Sequence, residues 1–363
     1  MIFYRFAAAV IAAAALILSA PFISIIRNWI RDTFPGQFVL ILGSIVGGSI
    51  AIAVVAAIVR IRDRRPFRYA SVGAALAIGA TYSLLTSSPD RNVAMVERFH
   101  FVEYGMLTFL FYRTWRPLED GGVLVLPVLA AMLTAVVEEW VQWFIPGRVG
   151  TFADVFLNWV AILCGLLFSI GVDPPPSALR RLGTRSRWHA GVAGLLFVLV
   201  FGVFFEMVHV GHEINLDRVG SFPSLYTAAE LDAQARDRAS RWPVDPPIDK
   251  TRLAREDQYR TEGIQHVRER NRAWDAGDVD AAWRENLILE EFYAPVLDTG
   301  HRWPREQRHD AEQRAASVAR STRYVSAAYP YPVYAWRWWW LGVSGVAAVI
   351  ASWSVRERKR PRS

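Results

Sequence analysis

A chain of 363 residues that is 53% hydrophobic, yet holds 41 Lys or Arg and 34 Asp or Glu, must keep its charged and apolar residues in separate stretches. A net charge of +7 distributed as flanks of apolar runs marks membrane orientation, so no nucleic-acid partner is expected. One cysteine, Cys164, excludes a disulfide framework and leaves the redox compartment undetermined.

Taken in order, apolar runs long enough to cross a bilayer recur near 6–26, 37–59, 69–86, 99–115, 122–143, 152–171, 189–210 and 335–355. They predict an all-α polytopic transmembrane bundle of about eight spans. The first run contains "AAAALILSA", which resembles a cleavable leader, but Pro21 and "FISII" continue it to spanning length, so it is read as a span. Glu103 and Tyr104 interrupt the fourth run, the weakest of the eight on hydropathy. Five regions follow. Residues 1–68 hold two N-terminal spans, 69–172 a four-helix core, and 173–210 a basic loop and the seventh span. Residues 211–334 form a helical insert, and 335–363 an eighth span with a basic tail.

Positive charge sets the orientation. With the N-terminus inside, the inner segments carry seventeen Lys or Arg, among them Arg60, Arg62, Arg65, Arg68 and the tail "RERKRPR", whereas the short outer segments carry five. That asymmetry places both termini in the cytoplasm and 211–334 outside the inner membrane of a bacterium, the basic tail touching anionic membrane lipids. The insert holds 21 acidic and 18 basic residues, a soluble composition. Helical patterning appears in "TAAELDAQARDRASRW", "TRLAREDQYRTEGIQHVRERNRAW", "DVDAAWRENLILEEFYAPVL" and "REQRHDAEQRAASVARSTRYV". Thr227 and Glu230 form a capping box, and "PVDPPID" and "DTGHRWP" are turns. "YAWRWWWLG" marks re-entry into the membrane, since Trp and Tyr favour the headgroup level.

The polar residues of the core raise the functional question. With that orientation His100 and Tyr104 open the fourth span at its outer end. Glu138, Glu139 and Gln142 close the fifth, Arg148 lies on the joining loop, and Asp154 and Asn158 open the sixth. Spacings of three or four within each helix put them on shared faces. Charges at membrane depth are unfavourable unless paired, so the set predicts a pocket shared by three helices.

"SLLTSSPDRNVAMVERFHFVEYGMLTFLFYR" followed by "EEWVQWFIPGRVGTFADVFLNWVAILCGLLF" resembles the VanZ family of polytopic bacterial membrane proteins, over residues 69–171. The resemblance rests on an acidic-basic pair, His and Tyr opening one helix, then Glu-x-x-Gln, Pro-Gly-Arg, Asp and Asn. It places the family's polar positions on His100, Tyr104, Glu139, Gln142, Arg148, Asp154 and Asn158, and implies an association with teicoplanin resistance in the cell envelope. Two positions depart: the pair reads Glu97-Arg98 where members commonly have Asp-Lys, and a glycine common after the Asn is Ala161.

Each residue also has a purely structural reading. Asp154 can close a Thr151-x-x-Asp154 capping box, Asn158 can bond a neighbouring helix, Arg148 can snorkel from its turn, and His100 can pair with Glu139 or Asp154. A metal on His100, Glu139 and Asp154 would lack a second close histidine, so neither metal nor other cofactor is expected, and no residue is assigned as catalytic. The expected function is binding of a lipid-linked, glycan or glycopeptide-type ligand without turnover. The alternative is an accessory subunit of a larger membrane complex, respiratory or photosynthetic in type, docked through 211–334.

Overall fold

The computed structural model of the chain describes residues 2–34, 36–63, 65–86, 88, 90–145, 150–175, 181–247, 258–317, 324–329 and 332–355. It divides into two compact units, one formed by Met1–Gln142, Val149–Phe204 and Trp340–Ser363, the other by Trp143–Arg148 and Phe205–Trp339.

The first unit is built from helices α1 (Ile2–Thr33), α2 (Phe38–Arg60), α3 (Pro66–Leu85), α4 (Arg91–Trp115), α5 (Gly122–Trp143), α6 (Phe152–Val172), most of α7 (Thr184–His209) and α13 (Trp339–Val355). Five of these, α1, α2, α5, α6 and α7, are long and apolar enough to cross a membrane. Their outer surfaces suit lipid: Leu18, Ile52 and Leu199 project from α1, α2 and α7 with 70%, 73% and 43% of their area exposed. The other three expected spans are helices as well, but they fall short of that measure. Helix α13 has 17 residues. Helix α4 starts at Arg91 and so takes in Arg91, Glu97 and Arg98 besides Glu103 and Arg113.

The packing explains how α4 tolerates those charges. Its most extensive contacts are with α6, and it also packs on α1 and α2, which makes it the hub of the unit. Tyr104, Leu107 and Phe111 of α4 form one apolar cluster with Ala131 and Ala135 of α5, Ala161 and Ile162 of α6, and Ala9 and Ala13 of α1. Small residues let the backbones close in. A Cβ built on Gly165 of α6 would sit 2.8 Å from Cα of Gly105 on α4, and one on Gly171 would sit 2.7 Å from the carbonyl oxygen of Arg68 at the start of α3.

The far end of α6 from Asp154 is closed by Arg68. Its Nε donates to the carbonyl of Gly171 at 2.8 Å, Nη2 donates to that of Val172, and Nη1 donates to Asp63 at 2.8 Å. A cation on the last carbonyls of a helix satisfies orphan acceptors and faces the negative end of the helix dipole. Tyr112 adds a bond to the carbonyl of Asp173 at 2.7 Å, and Arg116 pairs with the Asp173 carboxylate at 3.3 Å.

The second unit departs from the all-helical expectation at its start. "GHEINLDRVGSFPS" forms an antiparallel ribbon of β1 (His212–Leu216) and β2 (Gly220–Ser224), with Ile214 opposite Phe222. Three short signals were available, alternation in "HEINL", the turn "DRVG" and β-branched residues, but each is too brief to outweigh the helical patterns around it. The edge of β2 is covered by residues after 323, where the N–H of Ser221 donates to the carbonyl of Tyr324 at 2.9 Å. Gly220 has φ 116°, and a Cβ there would strike the Tyr324 carbonyl.

Helices α8 (Ala228–Arg241), α9 (Gln258–Asp275) and α10 (Val279–Phe292) follow, then a short turn α11 (Ala294–Val296), a wider turn at Leu297–His301, and α12 (Arg305–Ser317). The capping box at α8 forms as expected: Thr227 accepts from the Glu230 N–H, and Glu230 accepts from the Thr227 N–H at 2.7 Å. The core gathers Ile214 and Phe222 of the ribbon with Leu231 of α8, Tyr259 and Val267 of α9, and Ile288, Leu289 and Phe292 of α10. A smaller cluster joins Val279 and Trp283 of α10 to Ala311 and Ala315 of α12. In the Trp-rich stretch Phe205 stacks against Trp339 and Trp336 at ring separations of 4.6 and 5.4 Å.

Candidate functional site: a buried polar cluster between α4, α5 and α6

Five of the eight residues singled out by sequence form one connected group. The His100 and Tyr104 rings, one turn apart on α4, lie parallel with centroids 6.3 Å apart. The Tyr104 hydroxyl reaches across to Glu138 of α5 at 3.4 Å. From one turn further along α5, Gln142 donates its amide to Glu138 at 2.6 Å and to Glu139 at 3.2 Å. Helical spacing explains why one amide serves both: positions three and four before Gln142 flank the same face.

All but His100 of this group are nearly sealed. Tyr104 and Glu139 are each 1% exposed, Gln142 4% and Glu138 5%. The group is therefore packed shut rather than open as a cleft. Two carboxylates at that depth are an expensive way to join helices, since Leu or Ala would join them without desolvating a charge.

Helix α6 starts beside this group. Gly150, the residue before Thr151, lies so close to α5 that a Cβ on it would overlap the carbonyl of Glu139, so only glycine fits there. Asp154 takes its structural role: its N–H donates to the Thr151 hydroxyl at 3.2 Å, and that hydroxyl donates to its carboxylate at 2.9 Å. Asn158, one turn deeper on the same face, is fully buried, and neither its amide oxygen nor its amide nitrogen has a hydrogen-bond partner among the described residues. The interhelical bond expected of it does not form there. Arg148, with Pro146 and Gly147, lies outside the described residues.

Sequence reading missed Tyr82. Its ring bridges the helices, 6.2 Å from Phe101 of α4 and 6.2 Å from Phe156 of α6, within electrostatic reach of Glu97 and Asp154. Nothing in the apolar "GATYSLL" singles out a tyrosine whose importance depends on which helices it lies between. Glu97 also accepts a backbone bond from Ser88 at 3.4 Å, tying the α3–α4 connection to α4. Among the described residues no group of three or more His, Cys, Asp or Glu is arranged to hold a metal ion.

These helices belong to the segment that resembles a known family. Residues 56–172, from the last turn of α2 to the end of α6, match the VanZ/LLP1 family model, which begins somewhat before the 69–171 read from the motifs and takes in Arg68. Neither a curated protein nor a solved structure matches the chain. The class is thus a helical membrane protein, and a VanZ-like segment makes up about a third of it.

Proposed function

We propose that the chain is a multi-pass protein of the bacterial inner membrane whose α4, α5 and α6 hold an outward-facing polar pocket for a lipid-linked, glycan or glycopeptide-type ligand, bound without turnover. Residues 211–334 lie outside the membrane in this reading and both termini lie in the cytoplasm. The observation that carries it is Asn158, a fully buried amide with donor and acceptor both unsatisfied among the described residues. Buried amides of folded proteins are normally paired, and a hydroxyl or amide of a ligand admitted by a parting of these sealed helices would supply both partners at once. Glu138, Glu139 and Gln142 of α5 would add polar groups to the site, and Arg148 on the loop would add a cation for a phosphate or carboxylate.

Purification in nanodiscs followed by native mass spectrometry tests this. The parent chain should retain a lipid-linked saccharide that Asn158→Leu, Glu139→Gln and Arg148→Ala lose while remaining as abundant in the membrane. Equal retention in parent and variants, or a reporter fused at residue 148 reading cytoplasmic, would remove the pocket. The accessory-subunit reading draws on a different feature: residues 205–339 make a compact unit with its own core and an exposed Trp338. Stoichiometric co-purification with other membrane subunits, lost on deleting 220–330, would favour it.

A further inference from the structure

Among the described residues of the unit formed by 205–339, Arg270 is a buried cation without an ion pair. Arg270 of α9 is 2% exposed, and all of its hydrogen bonds go to uncharged acceptors. Nε donates to Asn271 at 3.2 Å, Nη1 to Asn286 at 3.2 Å, and Nη2 to the carbonyl of His301 at 2.8 Å. Two carboxylates of this unit are committed to other cations, while Asp275 lies on the rim of the same hollow without pairing with Arg270. Glu290 is gripped by Arg308 at 2.6 and 2.9 Å, and Asp298 by Arg302 at 2.6 Å. Among the described residues Arg270 makes no ion pair, although buried guanidinium groups ordinarily have one. Burial lowers its pKa to about 10, partly offset by Glu290, as expected of a cation short of negative neighbours.

This guanidinium lines a hollow of about 320 Å³, within the range of small-ligand pockets. Trp303 and Trp274 form an angled aromatic wall, centroids 5.4 Å apart, with Arg270 over the Trp303 ring at 4.6 Å. Asn271, Asp275 and Gln307 supply both donors and acceptors around it. Gly300, with φ 98°, turns the chain so that the next carbonyl, His301, meets Arg270.

We infer that this hollow is a binding site for a saccharide carrying a carboxylate. The acid would take the two guanidinium N–H groups left over from the three bonds described, the ring would lie against indole, and its hydroxyls would meet Asn271, Gln307 and Asp275. Asp275 argues against a compact polyanion such as phosphate, which it would repel, but it accepts well from a sugar hydroxyl. The site lies in the soluble unit and is independent of the cluster on α4 to α6.

Titration calorimetry of the full chain in nanodiscs tests the inference, with trigalacturonate as probe, maltotriose as its neutral counterpart and inorganic phosphate as a simple anion. Trigalacturonate should bind saturably and at least about tenfold more tightly than either control. Arg270→Gln should abolish that preference. Because a buried cation also supports the fold, Asp275→Asn is the second variant: it removes a rim carboxylate and should tighten acid binding by about threefold, an effect that unfolding cannot mimic. Equal affinity for the acidic and neutral trisaccharides, phosphate binding as tightly as the sugar acid, or no saturable heat from a folded chain would overturn the assignment.

Discussion

Glu262 of α9 and Glu285 of α10 are both buried in the second unit and are held in opposite ways. Burial raises the pKa of Glu262 above its ordinary 4.5, against bonds from Ser224, Leu225, Tyr293 and Gln258 that favour the anion. Burial also acts on Glu285, but the His266 ring at 2.6 Å, with Ser326 and Tyr324, outweighs it and holds the carboxyl below 4.5. The linkage signs therefore differ. Above pH 4.5 the folded state binds the Glu262 proton more tightly than the unfolded chain does, so that residue adds stability as pH falls through its raised value toward 4.5. Glu285 adds stability that is present above 4.5 and lost as pH falls through its lowered value. Thermal melting followed by tryptophan fluorescence should show the parent gaining on Glu262→Gln as pH falls toward 4.5, and losing to Glu285→Gln below pH 4.5. Parallel curves for both variants would contradict the assignment.

Among the elements, α4 and α6 are the pair whose contact the fold depends on most. Gly165 meets Gly105 backbone to backbone, so Gly165→Val forces its side chain into Cα and the carbonyl oxygen of Gly105, at 2.8 and 2.9 Å from the first carbon alone. Overpacking of this kind costs about 1 to 3 kcal/mol, and the variant should show a lowered melting temperature in detergent with the fluorescence of the second unit unchanged. The same contact explains how a helix with charges along its length can belong to a membrane bundle. Lipid-facing helices must be apolar, whereas a helix surrounded by others can keep polar groups if its neighbours partner them. Tyr104 with Glu138, and Arg116 with Asp173, are such partnerships.

For the whole molecule, the division into two compact units with separate cores predicts two unfolding events. Calorimetry of the full chain in detergent should give one transition that moves with pH through Glu262 and Glu285 and another that moves with detergent or lipid. A single transition responding to both would show that the units unfold together. Composition alone sets 211–334 apart, because it balances its charges while the apolar runs exclude them. It could not reach the ribbon at 212–224, whose pairing matters only once Phe222 is packed on α9 and α10.

By itself the sequence determined that the long apolar runs are helices and that Thr227 and Thr151 cap theirs, since periodicity, length and capping act over a few neighbouring residues. Tertiary structure alone decided which polar groups meet. Arg68, read only as a positive flank, closes the carbonyls of α6 more than a hundred residues away. Among the described residues Asn158 finds no hydrogen-bond partner, although a bond to a neighbouring helix was one reading of it, and Arg270 faces a hollow made by residues of 267–275 and 300–307. Pairing across such separations is set by the packing of whole helices, which no local pattern encodes.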